Sequence, residues 1–348
     1  MFDNIFSKNK KNKASIVCIG SSCKDIFFPT EESVIIETPE DLTSQIKIAF
    51  ELGAKYHIKE IYEAPGGTAA NVAQGIARLG VSCGLHSIIG NDLTGSWIKD
   101  ELKKENVELS LIQTRDDCRS DQSAIIIDTK GKDHVVFFNR DANKKLEVDT
   151  EKIKSFQWIF ASALNGNWEK SIDDIIRASI DYKLKIAFNP GQENIKSNNE
   201  KIIQMIKMSE ILILNKDEAT EILLKNEADF SEEELKEEIF LLNRLKKMGP
   251  KIIVLTDGSR GAWGSLAEDV FHCERLVVEA LDTLGAGDAF TSGFLAAHLK
   301  GKDLEQCLKW GIANGGNVVR FYGAKKGLLR EKEIEIETEN VRIKKYKI

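Results

Sequence analysis

An α/β fold, with a central, mainly parallel sheet flanked by helices on both faces, is predicted for this 348-residue chain by three features. Short runs rich in β-branched residues recur along it: SIVCIG, CGLHSIIG, WIFASA, KIAFNP, ILILN and KIIVLTD. Helix-length segments of mixed polarity separate them, the alternation that builds parallel sheets. Polar or glycine-bearing turns follow several of the runs, and ligands of such sheets bind outside the carboxyl ends of the strands.

Composition agrees with this class and narrows the partners. With 42% hydrophobic and 30% charged residues the chain reads as an ordinary soluble protein, long enough for one large domain or a domain with a small appendage. Its net charge of −6, without an extended basic face, argues against nucleic acid as the main partner. No run reaches the length of a membrane span. Lys8, Lys10, Lys11 and Lys13 begin the chain without the apolar core of a signal peptide, so residues 1–14 read as a solvated, disordered basic arm. Six scattered cysteines, with no C-x-x-C pair, read as reduced thiols and point to a cytoplasmic location.

Taken in order, the first run ends in CIGSSCKD, where Asp25 can accept two hydrogen bonds from vicinal hydroxyls or can simply belong to a polar turn. The connection from Phe28 to Ala64 carries SVIIE, YHIKEIYEA and a helix-like EDLTSQIKIAFELG. With QSAIIIDTKGKDHVVFFNR it suggests antiparallel pieces of a small β-rich lid, from about 26–64 and 120–140. PGGTAANVAQGIARLG then opens a small-residue helix: Gly66 and Gly67 let backbone approach a polyol, and Asn71 offers a donor and an acceptor, though close packing explains the glycines equally. LILNKDEA puts Asn215 and Glu218 just past a strand, where Glu218 can hold a water of a magnesium shell. LTDGSRGAW sets Thr256, Gly258 and Gly261 after another, fit for a nucleotide or for a hairpin turn.

LDTLGAGDAFTSGFLAAHLKG is the most informative stretch. Gly285, Ala286 and Gly287 stand at the mouth of a helix, where unpaired amides and the positive end of the dipole gather an anion such as a transferring phosphoryl group. Asp288 on the same turn can accept the proton of an attacking hydroxyl; the helix end is expected to keep it ionised and therefore a weak base. A plain glycine turn with an Asp cap is the alternative. Residues 331–348 alternate charged and apolar residues, as a terminal hairpin or a frayed tail would.

GGTAANVAQGIARLG and DTLGAGDAFTSGF together resemble the two signature segments of the ribokinase-like carbohydrate kinases, the pfkB family, and the resemblance spans a domain of about 15–330. It implies transfer of the γ-phosphoryl of ATP to a primary hydroxyl of a sugar or sugar-like acceptor. In that likeness Asp288 is the base and Gly285, Ala286 and Gly287 the anion hole. Asp25, Gly66, Gly67 and Asn71 bind the acceptor. Asn215, Thr256, Gly258, Gly261 and Asn314 contact the nucleotide, Glu218 is linked to Mg2+, and Asp282 is similar to a K+ ligand of some members. A homodimer through the lid is implied as well. The long Phe28–Ala64 connection departs from the family pattern and leaves the acceptor open. A nucleoside, with Phe27 and Phe28 stacking on its base, is one alternative, and a sugar phosphate met by Arg140, Lys47, His57 or Lys59 is another. A non-catalytic sugar- or nucleotide-binding regulator is the alternative from outside the enzymes.

Overall fold

The computed structural model describes residues 16–37, 46–131, 133–226 and 230–347, so the expected basic arm lies outside the described residues. Six of the predicted runs form the parallel part of one sheet, at Cys83–His86, Ile16–Ile19, Trp158–Ala161, Lys185–Phe188, Ile211–Asn215 and Ile252–Thr256 in spatial order. Ala262–Leu266 and Asp269–Cys273 continue it antiparallel. Because successive side chains of a strand point to opposite faces, Ile16 and Cys18 enter one hydrophobic core and Val17 and Ile19 the other. A sheet buried on both faces needs helices on both, and the chain supplies them. Thr68–Arg78, Ala286–Leu299 and Leu304–Val318 cover the first core; Trp168–Tyr182, Asn199–Met208, Lys216–Asn226 and Glu238–Lys246 cover the second. Among the described residues no helix is long and apolar enough to cross a membrane.

A smaller sheet stands apart, ordered Asp133–Phe138, Gln122–Asp128, Cys23–Thr30 and Tyr62–Gly66. Its central pair, Cys23–Thr30 with Gln122–Asp128, is parallel, so the sheet is mixed rather than wholly antiparallel as the sequence suggested. Phe27 is buried with Ile125 and Ile127, and beside them Tyr62 meets Tyr322 of the body with ring centroids 5.4 Å apart. Phe27 thus belongs to the packing of the lid, not to a base-stacking surface.

Two expectations are corrected. Within the helix-like EDLTSQIKIAFELG the described residues Ile46–Ala49 form a strand, paired antiparallel with Val34–Glu37. The β-branched residues of IKI and SVII find cross-strand partners there, which outweighs a weak helical period. The C-terminal segment is neither a hairpin nor a frayed tail: Glu331–Thr338 is a helix that buries Ile334, and Ile343–Lys347 adds an antiparallel edge strand beside Asp269–Cys273. The alternation of charge and apolarity read correctly for the strand alone.

Helix Ala286–Leu299 is the centre of the first core, buried without a break from Ala289 to Ala297. It lies so close to its neighbours that side chains are missing at the contacts. A Cβ on Gly75 would stand 2.1 Å from Ser292 Oγ, one on Gly293 2.5 Å from the Trp310 carbonyl oxygen, and one on Gly311 2.7 Å from the Phe290 ring. Gly293→Ala is therefore expected to force the two helices apart and to lower stability by about 1–3 kcal/mol, read as a lower urea midpoint. An unchanged midpoint would show that this contact does not set their spacing.

Candidate active site

The buried helix holds its own N-terminus at the carboxyl edge of the sheet. Gly285 caps it with φ 79°, a left-handed conformation that favours glycine, and a Cβ there would collide with Ala324 at 2.2 Å. Ala286 N–H turns back to the Thr283 carbonyl at 3.2 Å, while helix geometry leaves the next amides without intrahelical acceptors. Gly287 differs from the glycines of the interior: it is exposed, and a Cβ on it would meet nothing within 4 Å. No packing in the chain requires a glycine there. The space beside it belongs to a cleft of about 380 Å³, bordered by Ala286, Gly287 and Thr283 on this side.

Asp288 follows on the first turn. Its Oδ2 accepts a hydrogen bond from Asn71 Nδ2 at 2.8 Å, so the two small-residue helices, 217 positions apart in sequence, meet at this carboxylate. Burial pushes its pKa up to about 6; repulsion from Asp25 adds to this, and hydrogen bonds from Asn71 and Thr68 hold it back. The sequence-based expectation of an ionised, weak base is revised in its second half: a pKa of about 6 leaves the carboxylate mostly ionised at neutral pH, but burial makes it a stronger base than a helix end alone would.

Asp25 is buried on the lid strand Cys23–Thr30, paired across to Ser123. Its carboxylate accepts the Cys23 thiol at 3.3 Å and the Ser123 hydroxyl; burial raises its pKa, and those bonds together with the field of Arg140 oppose the rise. Gly66 makes room for it, since a Cβ there would stand 2.0 Å from Asp25 Oδ2. Gly67, at φ 90°, caps helix Thr68–Arg78, and a Cβ there would stand 2.6 Å from the Ser21 carbonyl oxygen. Asp25, Gly66, Gly67, Asn71 and Asp288 are thus brought into one neighbourhood. Lys47, His57 and Lys59 stand exposed on the Phe28–Ala64 connection, and only Arg140 of the four basic candidates acts on Asp25.

The cleft runs from this point along Thr256, Gly258 and Gly261, all three of which line it. Asn215 pairs with Thr256 across adjacent strand ends but caps its own helix reciprocally with Glu218: Asn215 N–H to Glu218 Oε2 is 3.0 Å and Glu218 N–H to Asn215 Oδ1 is 2.7 Å. Burial lifts the Glu218 carboxyl to about 7. Asn314 does not reach the cleft. It is fully buried, with its amide donating to Ala289 O at 2.9 Å and Ser292 Oγ at 3.0 Å and its oxygen accepting from Leu329 N–H at 2.9 Å. The residues of its helix that do line the cleft are Gly311, Ile312, Gly315 and Gly316, a stripe visible in WGIANGGNV as glycines one helical turn apart, which the sequence reading passed over. Asp282 spends its carboxylate on backbone: Oδ1 accepts from Leu284 N–H at 2.9 Å and Oδ2 from Gly323 N–H at 3.1 Å. Asn143 also went unnoticed. It ties Ser22, between the body and the lid strand, to the buried Asp121, at 3.2 Å and 2.6 Å.

Residues 13–330 match the pfkB family carbohydrate kinases. The chain is 26% identical to a nucleoside kinase of Methanothermobacter thermautotrophicus, over 78% of this chain and 83% of that protein. It is 27% identical to an ATP-dependent 6-phosphofructokinase of Thermoanaerobacterium thermosaccharolyticum, over 74% and 80%. The fold is shared with an Escherichia coli protein described as a ribokinase II and solved with ATP and Mg2+, at a TM-score of 0.75 and 20% identity, over 94% and 99% of the two chains. A match over nearly the whole body of the chain, on a sheet, lid and glycine-capped helix of this arrangement, identifies the protein as a member of the pfkB family of carbohydrate kinases.

Proposed function

We propose that the protein transfers the γ-phosphoryl group of ATP to a hydroxyl of a sugar or nucleoside. The observation that carries this reading is the first turn of helix Ala286–Leu299, which presents an uncluttered glycine toward a cleft and, one residue on, a half-buried carboxyl of raised pKa tied to Asn71. A nucleotide in the cleft would lie with its base over the glycine stripe of Leu304–Val318 and its phosphates toward Thr256, Gly258 and the helix mouth. Asp25 and Asn71 hold the acceptor hydroxyls, and Asp288 orients the attacking one and takes its proton; with Ala286 N–H turned back on Thr283, the amides of Gly285 and Gly287 face the charge that builds on the phosphoryl oxygens. Magnesium, when bound, neutralises phosphate oxygens; Glu218, at the mouth of its own helix, would reach its hydration shell, which suits a small cation that keeps most of its waters. Asp282, with both oxygens on amides, is assigned to holding its loop, and potassium has no part in this reading. The lid's exposed Phe137 and Phe138 supply a face for pairing with a second copy.

Asp288→Asn is expected to lower turnover by roughly two to four decades while ATP still binds, measured by coupled assay and calorimetry. Turnover near the wild-type level would remove Asp288 from the chemistry, and ATP binding without turnover on any acceptor would make the protein a regulator instead. Because the base must be deprotonated, activity should rise with pH through about 6 and level off above. Asn71→Ala removes a hydrogen bond that favours the ionised form, so this limb should move to higher pH; a limb that stays in place would assign it to another group.

A second reading, an acceptor that already carries an anionic group, is favoured by Arg140. Its guanidinium acts on Asp25, Cys23 and Asp121, donates to the Asn139 carbonyl and lies over the Phe138 ring. On this reading Arg140→Ala raises the KM of phosphorylated acceptors about tenfold or more and leaves neutral ones nearly unchanged, in a panel of sugars, sugar phosphates and nucleosides. Equal effects on both would leave Arg140 with a structural role.

A further inference from the structure

The segment beyond residue 330 lies past the family match, yet it builds the wall of a second cavity. Helix Glu331–Thr338 packs beside the body, strand Ile343–Lys347 pairs with Asp269–Cys273, and the turn between them faces Arg320 and the stretch that follows the paired strand. The space enclosed is about 400 Å³. Three guanidiniums border it: Arg275, Arg320 and Arg342. Of its two acids, Glu274 is held by Lys344 at 3.0 Å and also lies in the field of Arg342, and Glu337 is the other. Among the described residues no hydrogen bond or ion pair joins any of the three guanidiniums to a partner. Arg320 and Arg342 each follow a helix end, but neither donates to its carbonyls, the ordinary use of an arginine there. Three such cations around one cavity run against the sign of a protein of net charge −6.

We propose that this cavity is an effector site for a small polyanion bearing phosphate groups. Guanidinium forks match phosphate oxygens in pairs and keep their charge at any physiological pH. Arg275, Leu276 and Val278 line this cavity and the nucleotide cleft alike, so an occupant here touches one side of a wall whose other side faces the nucleotide. Coupling between the two is reciprocal by linkage.

Calorimetric titration with inorganic pyrophosphate, with and without saturating ADP, tests the assignment on the full chain. Binding should persist in the presence of ADP, weaken by roughly tenfold or more in Arg320→Gln/Arg342→Gln, and survive in Lys332→Ala/Lys347→Ala, which removes the same charge elsewhere. Binding abolished by ADP, equal in the arginine variant, or absent at millimolar concentrations would overturn it. Should the double variant fail to fold by circular dichroism, Arg342→Gln alone, on an exposed turn, decides in the same way. If ADP itself does not bind, the nucleotide reading of the first cleft fails, while the titrations without ADP still decide this one.

Discussion

The spacing of the three small-residue helices is the constraint from which the site follows. Ala286–Leu299 is enclosed by Thr68–Arg78 and Leu304–Val318, and glycines at 75, 293 and 311 allow approaches that any larger residue would block. The distance between the first two helices decides whether Asn71 reaches Asp288. The distance between the last two decides how deep the cleft beside Gly311, Gly315 and Gly316 becomes. One packing solution therefore sets the carboxylate's hydrogen bond and the shape of the cleft together. A close-packed interior transmits small displacements instead of absorbing them.

The glycines of this protein serve two distinct ends. At 66, 285 and 293 an added Cβ would strike the protein itself, so those positions are explained by the fold. At 287 it would strike nothing, so the chain's own packing leaves that position unexplained, whereas at 258, where it would also strike nothing, a φ of 39° favours glycine. The sequence presents both kinds as the same letter, which is why a glycine pair before an alanine-rich helix reads equally well as packing or as a ligand cradle. Only the surroundings separate the two.

Much of the architecture was legible because it rests on local patterns. All six predicted runs became parallel strands, and both glycine-led helices begin where the residues said they would. What was not legible depended on partners distant in the chain. Ile46–Ala49 took its structure from Val34–Glu37, and the last strand from Asp269–Cys273, neither of which periodicity reveals. Asn314 sits among cleft-lining neighbours, yet its side chain lies on the opposite face of the helix, with Ala289, Ser292 and Leu329. The basicity of Asp288 was legible only in part for a related reason: the helix end can be read from sequence, whereas the burial that raises its pKa cannot.

Asp25 rides on the lid strand and Asp288 on the body, and the short Gly20–Ser22 link joins that strand to the sheet. Two carboxylates of like charge, one from the smaller sheet and one from the body, thus repel each other. On the proposed reading an empty mouth resists the approach of the two acids, and a polyol that offers a hydroxyl proton to each removes the resistance. The acceptor would then act as its own latch.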